Sequence, residues 1–319
     1  MLCLLLLSPG IPEYLSGSSP LNAIVLNPPM FVFQMLANLG LYGPGVLLVR
    51  EAKVRWGKGW GSVLLLGAAY GILEEGVALS TLFNPDAGPV GALGVYGHWL
   101  GVNWVWVVGI VPVHMIYSIS LPILILGLAL PETNGQRFLP GRKLLATVVL
   151  LGVDVFVLFL LITLGEKFWM GTPVLLGSFA AIAVLVFAGR RAKPDLLKAS
   201  PGPPRTSPGW MAVTGAVFYP CVLLAEFVVK GAGVPATVDF PLVILVQALF
   251  LVYVLRVVGS GENGKILVAF SFGLILPIAA FGVISQAALP LPLLADIVMV
   301  AFFLRLFHRM PPILPVKEG

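Results

Sequence analysis

Two adjacent carboxylates, Glu74 and Glu75, sit inside one apolar run, and the next apolar run carries His98 at its start and His114 within it. A carboxylate beside an imidazole is a pairing that moves protons: one group withdraws a proton and the other holds or returns it. In hydrocarbon such groups are costly, so a dense set of them reads as a functional site. Glu74, Glu75 and His114 are the candidate catalytic residues. Asn103, Trp106, Tyr117 and Ser118 fall near the His114 stripe and are candidates to meet a substrate, as is Asp154 in a later apolar run. For a divalent metal such as zinc, the candidate ligands are Glu75, His98 and His114, imidazole and carboxylate being the groups such an ion takes.

Helical spacing says how these groups are presented. Gly67, Gly71 and Glu75 recur every four residues and share one stripe, where small residues let another helix approach. Glu75 is thus expected to face protein, with Glu74 turned about 100° away beside Tyr70 and Ala78. Pro112 and Pro122 each remove a helical hydrogen bond, leaving the carbonyls near residues 108 and 118 without their usual partners. At ~1.5 Å per residue, the expected helix ends put Glu75 and His114 at depths differing by roughly 10 Å. A direct contact requires that gap to close.

The elements that position these residues are membrane helices. The chain has 319 residues, of which 10% are charged and 59% hydrophobic, with a mean hydropathy of +1.02. Repeated runs of about 20 apolar residues match a bilayer core of ~30 Å. The fold class is therefore all-α, a polytopic integral membrane bundle. The runs are continuously apolar rather than alternating, which argues against a β-barrel. The basic isoelectric point, near 9.3, comes from short loops and does not indicate a nucleic-acid partner; the partner is the lipid bilayer. Cys3 and Cys221 match no metal or redox spacing and read as small apolar residues.

Met1–Leu7 is apolar but too short to span, and Ser8–Pro20 reads as a loop. Nine spans are predicted: Pro29–Val49, Gly61–Phe83, Leu100–Leu121 (extending toward Leu130), Leu144–Leu164, Thr172–Gly189, Trp210–Val229, Phe240–Leu255, Ile266–Ala287 and Leu291–Phe307. Of the 19 Lys and Arg residues, only Lys167 and Lys230 fall on one side of that arrangement. The rest, Lys317 included, mark the cytoplasmic side of a cell membrane, with the amino terminus outside and the carboxyl terminus inside. The organisation expected is an extracytoplasmic segment (1–28), a five-helix bundle holding the Glu-Glu/His site (29–189), a Pro/Gly-rich cytoplasmic linker (190–209), a four-helix bundle (210–307) and a cytoplasmic tail (308–319). No repeat relates the two bundles.

Asp154 and Asp296 have no basic neighbour in their runs, whereas Glu226 has Lys230 one turn away and reads as half of an interfacial ion pair. His98 beside Trp99 reads as an interfacial anchor, and Trp99, Trp104 and Trp106 as an aromatic belt. The excess of intramembrane acids favours chemistry with a proton or a cation over binding of an anion.

The Glu74–Glu75 pair followed by His114 resembles the CPBP family of intramembrane proteases, the CAAX-protease and bacteriocin-processing enzymes, over residues 71–118. The resemblance implies a glutamate that activates water, with the histidine assisting or binding metal. The chain departs from that family's pattern at Leu79, where the family has Arg, and at Ile110, where it has Phe. It also lacks a second intramembrane His on a later helix, His308 being terminal. Two functions compete: an intramembrane hydrolase acting on a membrane peptide, with Glu75 as general base, Glu74 as its partner and His114 as metal ligand or proton shuttle, and a proton- or cation-coupled carrier of a small molecule using Glu74, Glu75, Asp154 and His114 as relay groups. The charge bias is tested by cysteines placed singly in the 190–209 loop. A membrane-impermeant maleimide should label them only after the cytoplasmic face is opened, and labelling on intact cells would overturn the orientation.

Overall fold

The computed structural model describes residues 1–260 and 263–311; Lys317 and most of the tail lie outside them. Among the described residues, nine helices are long and apolar enough to cross a membrane. A shorter apolar helix precedes them. In chain order they are α1 (Leu2–Leu15), α2 (Pro28–Arg55), α3 (Trp60–Ala78), α4 (Trp104–Ala129), α5 (Arg142–Glu166), α6 (Thr172–Arg191), α7 (Pro208–Gly231), α8 (Ala236–Val257), α9 (Gly264–Ser285) and α10 (Leu291–Arg309). The only sheet among the described residues is a two-strand hairpin, β1 (His98–Trp99) with β2 (Val102–Asn103).

The nine long helices coincide with the spans read from the sequence, and three local features depart from it. First, Ser8–Pro20 is not a loop throughout: α1 runs to Leu15, its last turn wound as a π-helix from Gly10. Leu4, Ser8 and Ile11 are buried inside the bundle, so this segment is a wedge rather than a surface loop. Second, α3 stops at Ala78 instead of Phe83, because Ser80 takes a left-handed φ of 59° that ends the helix. Third, α4 starts at Trp104, not Leu100. Leu100 and Gly101, both at positive φ, form the hairpin turn, and Asn103 caps the helix by accepting from Trp106 N at 3.0 Å.

Both carbonyls freed by proline find a partner on another helix. The Val108 carbonyl, whose helical partner would be residue 112, accepts from Gln247 Nε2 of α8 at 2.7 Å. The Ser118 carbonyl, whose partner would be residue 122, accepts from Ser8 Oγ of α1 at 2.6 Å. This is how a proline-broken helix survives in hydrocarbon.

Packing places α1 and α4 at a seam. One apolar cluster joins Leu4 of α1 to Tyr42, Val46, Val63, Tyr70 and Ile119. A second joins Ile11 of α1, with Tyr117 and Leu121 of α4, to Phe218, Val243, Ile275 and Phe303 of the later helices. Outward faces carry apolar side chains such as Phe156, Leu160, Phe179 and Leu249, which suit lipid. The small-residue stripe is a contact: a Cβ on Gly71 would meet the Val111 carbonyl oxygen at 3.1 Å, and one on Gly67 would meet Met115 Cα at 3.1 Å. Gly71→Leu therefore has no room against backbone and should cost about 3 kcal/mol or more, at the upper end for overpacking. Leu73→Ala, at a half-buried position, should cost less. Thermal melts in detergent compare the two, and equal melts would show that the stripe is not an interface.

Candidate functional site

Glu75 and His114 meet directly. Glu75 Oε1 lies 2.7 Å from His114 Nε2, a hydrogen bond between α3 and α4. The depth gap expected from the sequence closes for a simple reason. Side chains on a helix lean toward its amino terminus, and α3 and α4 are antiparallel. Glu75 therefore leans inward along α3 while His114 leans outward along α4, and each covers part of the distance.

Both helices are wound as π-helices at this level, α3 over Ile72–Ala78 and α4 over His114–Ser120. The wide turn is visible in Leu79 N, which bonds the carbonyl of Glu74 five residues back at 2.9 Å. Such turns often accompany functional sites. Here the winding brings both carboxylates to one imidazole. His114 Nδ1 is 2.9 Å from Glu74 Oε2 and 3.1 Å from Ser118 Oγ. The serine is the better aligned of the two, and Glu74 Oε2 lies close to the ring without a formed hydrogen bond. Glu74, Glu75 and His114 are 0%, 6% and 4% exposed. An imidazole between two carboxylates is the only cationic candidate within this cluster, and no Lys or Arg forms an ion pair with any member among the described residues.

The two glutamates differ in what remains free. Glu75 Oε2 accepts from Thr81 Oγ1, which in turn accepts from Trp106 Nε1 at 3.2 Å. With His114 on its other oxygen, Glu75 is satisfied on both sides. Glu74 Oε1 meets no donor, and the Tyr70 hydroxyl within its reach has no aligned partner.

The remaining candidates are placed as follows. Ser118 joins the cluster through His114. Trp106 joins it through Thr81. Asn103 Oδ1 caps α4, and its amide donates to the Leu93 carbonyl at 2.7 Å. Tyr117 is fully buried one step around α4, edge-on to Tyr219 with ring centroids 6.0 Å apart. Asp154 of α5 lies against Gly40 of α2, where a side chain would collide with it. His98 stands in the hairpin with Nε2 3.0 Å from the Phe83 carbonyl oxygen. Glu75, His98 and His114 therefore do not form one ligand set. Both His114 nitrogens already have partners, and among the described residues no three His, Cys, Asp or Glu side chains are arranged to hold a metal ion. The residues do not fit a zinc centre. Glu226 is also not paired with Lys230: the lysine donates to the Ala92 carbonyl, while Glu226 is buried against Gly109.

Two participants escape a reading of spans. Thr81 follows the helix end, and only the left-handed turn at Ser80 folds it back onto Glu75. Glu13 of α1 accepts from Tyr42 OH at 2.6 Å and from Ser19 Oγ at 2.9 Å. The Tyr42 ring lies 6.1 Å from that of His114. An acid one turn from the end of a short apolar segment was the available signal for Glu13.

No family model, curated protein or solved structure matches the chain. The site stands on its geometry.

Removing the Thr81 hydroxyl tests the relay. Thr81→Val leaves both Glu75 Oε2 and Trp106 Nε1 without a partner and should cost about 1–3 kcal/mol. Thr81→Ser, which keeps the hydroxyl, should melt close to wild type. Equal melts for Thr81→Val and wild type would remove Thr81 from the site.

Proposed function

We propose that this chain is an intramembrane hydrolase that cleaves the amide C–N bond of a membrane-embedded peptide with glutamate-activated water, in the manner of the CPBP proteases it resembles. The observation that carries the reading is the division of labour around one imidazole: Glu75 has both oxygens bonded, whereas neither oxygen of Glu74, beside the same ring, has a hydrogen-bond partner. In the reaction, Glu74 accepts a proton from water as the water oxygen attacks the carbonyl carbon. The C–N bond then breaks, and the proton passes to the departing nitrogen, giving an acid and an amine. His114, in contact with Glu74, carries positive charge as it develops nearby. Glu75 holds the ring in place, the part played by the orienting carboxylate in other nucleophile–base arrangements. This exchanges the roles that spacing alone suggests, where Glu75 is the base. The basic-loop bias supports a cell-membrane location with the amino terminus outside.

A second reading, a proton- or cation-coupled carrier, is favoured by a separate pair of acids. Glu226 of α7 and Asp239 of α8 are 2% and 0% exposed, and Glu226 Oε1 and both Asp239 oxygens lack partners. Burial, with Asp239 beside it, pushes the Tyr96 phenol up to about 12. Such a group of acids would suit a travelling proton.

The two readings separate in proteoliposomes. With a quenched-fluorescent transmembrane peptide library, wild type should cleave, and Glu74→Gln and His114→Ala should each lose about 10²–10⁴-fold. The double variant should lose little more than either single, since groups acting as a unit are not additive. Full activity in Glu74→Gln would falsify the assignment. Absence of cleavage together with pH-gradient-driven uptake abolished by Glu226→Gln would establish the carrier instead.

A further inference from the structure

We propose that Glu13 is a positioning residue of the His114 site, acting through Tyr42; this rests on the reading of Glu74 and His114 as the working pair. The geometry has three parts. Glu13 receives two hydroxyl donors, Tyr42 OH at 2.6 Å and Ser19 Oγ at 2.9 Å, and Ser19 is itself held by Asn38 Nδ2 at 2.8 Å. Tyr42, so anchored, is 2% exposed and stands between two site residues: its ring centroid is 6.1 Å from that of His114 and 6.1 Å from that of Tyr70, the neighbour of Glu74. The helix that carries Glu13 is also tied to the site's other wall. Ser8 Oγ donates to the carbonyl of Ser118, the residue whose hydroxyl meets His114 Nδ1.

A tie between α1 and α2 does not need an acid. A glutamine could accept from Tyr42 on its oxygen and donate its amide to Ser19 Oγ without the cost of burying a charge. The carboxylate adds a third acid around a single imidazole, and its ionisable neighbours are Tyr42, Tyr14, Glu74 and His114. Glu13 touches none of the atoms placed in the reaction. Its effect is exerted on where the Tyr42 ring stands and on the field His114 experiences.

The test reads His114 itself. The chain has three histidines, His98, His114 and His308, so protein labelled with ¹⁵N-histidine in detergent gives an assignable imidazole spectrum. Glu13→Gln and Tyr42→Phe should each move the His114 resonances while those of His98 and His308 stay in place. His114 resonances unmoved in a folded Glu13→Gln protein would overturn the proposal. Should Glu13→Gln fail to fold, Tyr42→Phe, which leaves the carboxylate and removes only the hydroxyl, decides it in the same way. In the peptide assay, Glu13→Gln should lower kcat roughly tenfold with KM unchanged, as a small misplacement of the working groups would. Resonances that move in a protein whose wild type cleaves nothing would leave the positioning role standing and remove the hydrolase.

Discussion

A carboxylate in hydrocarbon has to find its proton or its counter-charge inside the protein. Glu74 and Glu75 turn to the same imidazole. Much of the local architecture serves that arrangement. The two helices approach closely because Gly67 and Gly71 leave space for the backbone at Met115 and Val111. They run antiparallel, so the side chains lean toward each other. They are wound wide at the level of the site, so adjacent residues of α3 can both reach His114. An unpaired buried charge would cost several kcal/mol, more than any single packing contact in the bundle could return.

The same rule governs the backbone. Proline at 112 and 122 loosens α4 on either side of His114, and each freed carbonyl is met by a polar side chain from elsewhere in the bundle, Gln247 or Ser8. These two bonds do more than satisfy an oxygen. They join α4 to α8 on one side and to α1 on the other, so the helix that carries the histidine is held in register by its own irregularities. A regular helix would offer no free carbonyls to grip.

The spans were legible because length and apolarity are properties of a single helix. So were the orphaned carbonyls at 108 and 118, which follow from proline chemistry alone, and the facing of Glu75 onto protein, which follows from the glycine stripe. What escaped is of a different kind. Leu2–Leu15 is too short to be recognised as a span, and its Pro9, Pro12 and Gly10 look like loop residues; only burial against four other helices makes it helical. Thr81 reaches Glu75 through a left-handed turn at a serine, which no pattern announces. The Glu226–Lys230 spacing suggested an ion pair, but the lysine finds a carbonyl across a loop instead. The short helix and Lys230 depend on long-range partners, which are invisible in a local window, and Thr81 depends on one backbone conformation that a serine does not signal.

The wedge formed by α1 has a consequence for biogenesis. It is synthesised before the nine long helices, yet its polar contacts lie far along the chain: Ser8 waits for Ser118, and Asn22, just beyond the wedge, waits for Gln286, 264 positions later. Until α4 leaves the translocon, Ser8 lacks its partner on that helix, and an apolar helix too short to cross the bilayer cannot settle there alone. Assembly is therefore ordered from the inside out. α2, α3 and α4 must come together before α1 can dock, and the loop that follows α1 closes only when α9 has entered. A helix that precedes all nine spans is among the last parts of the bundle to find its place.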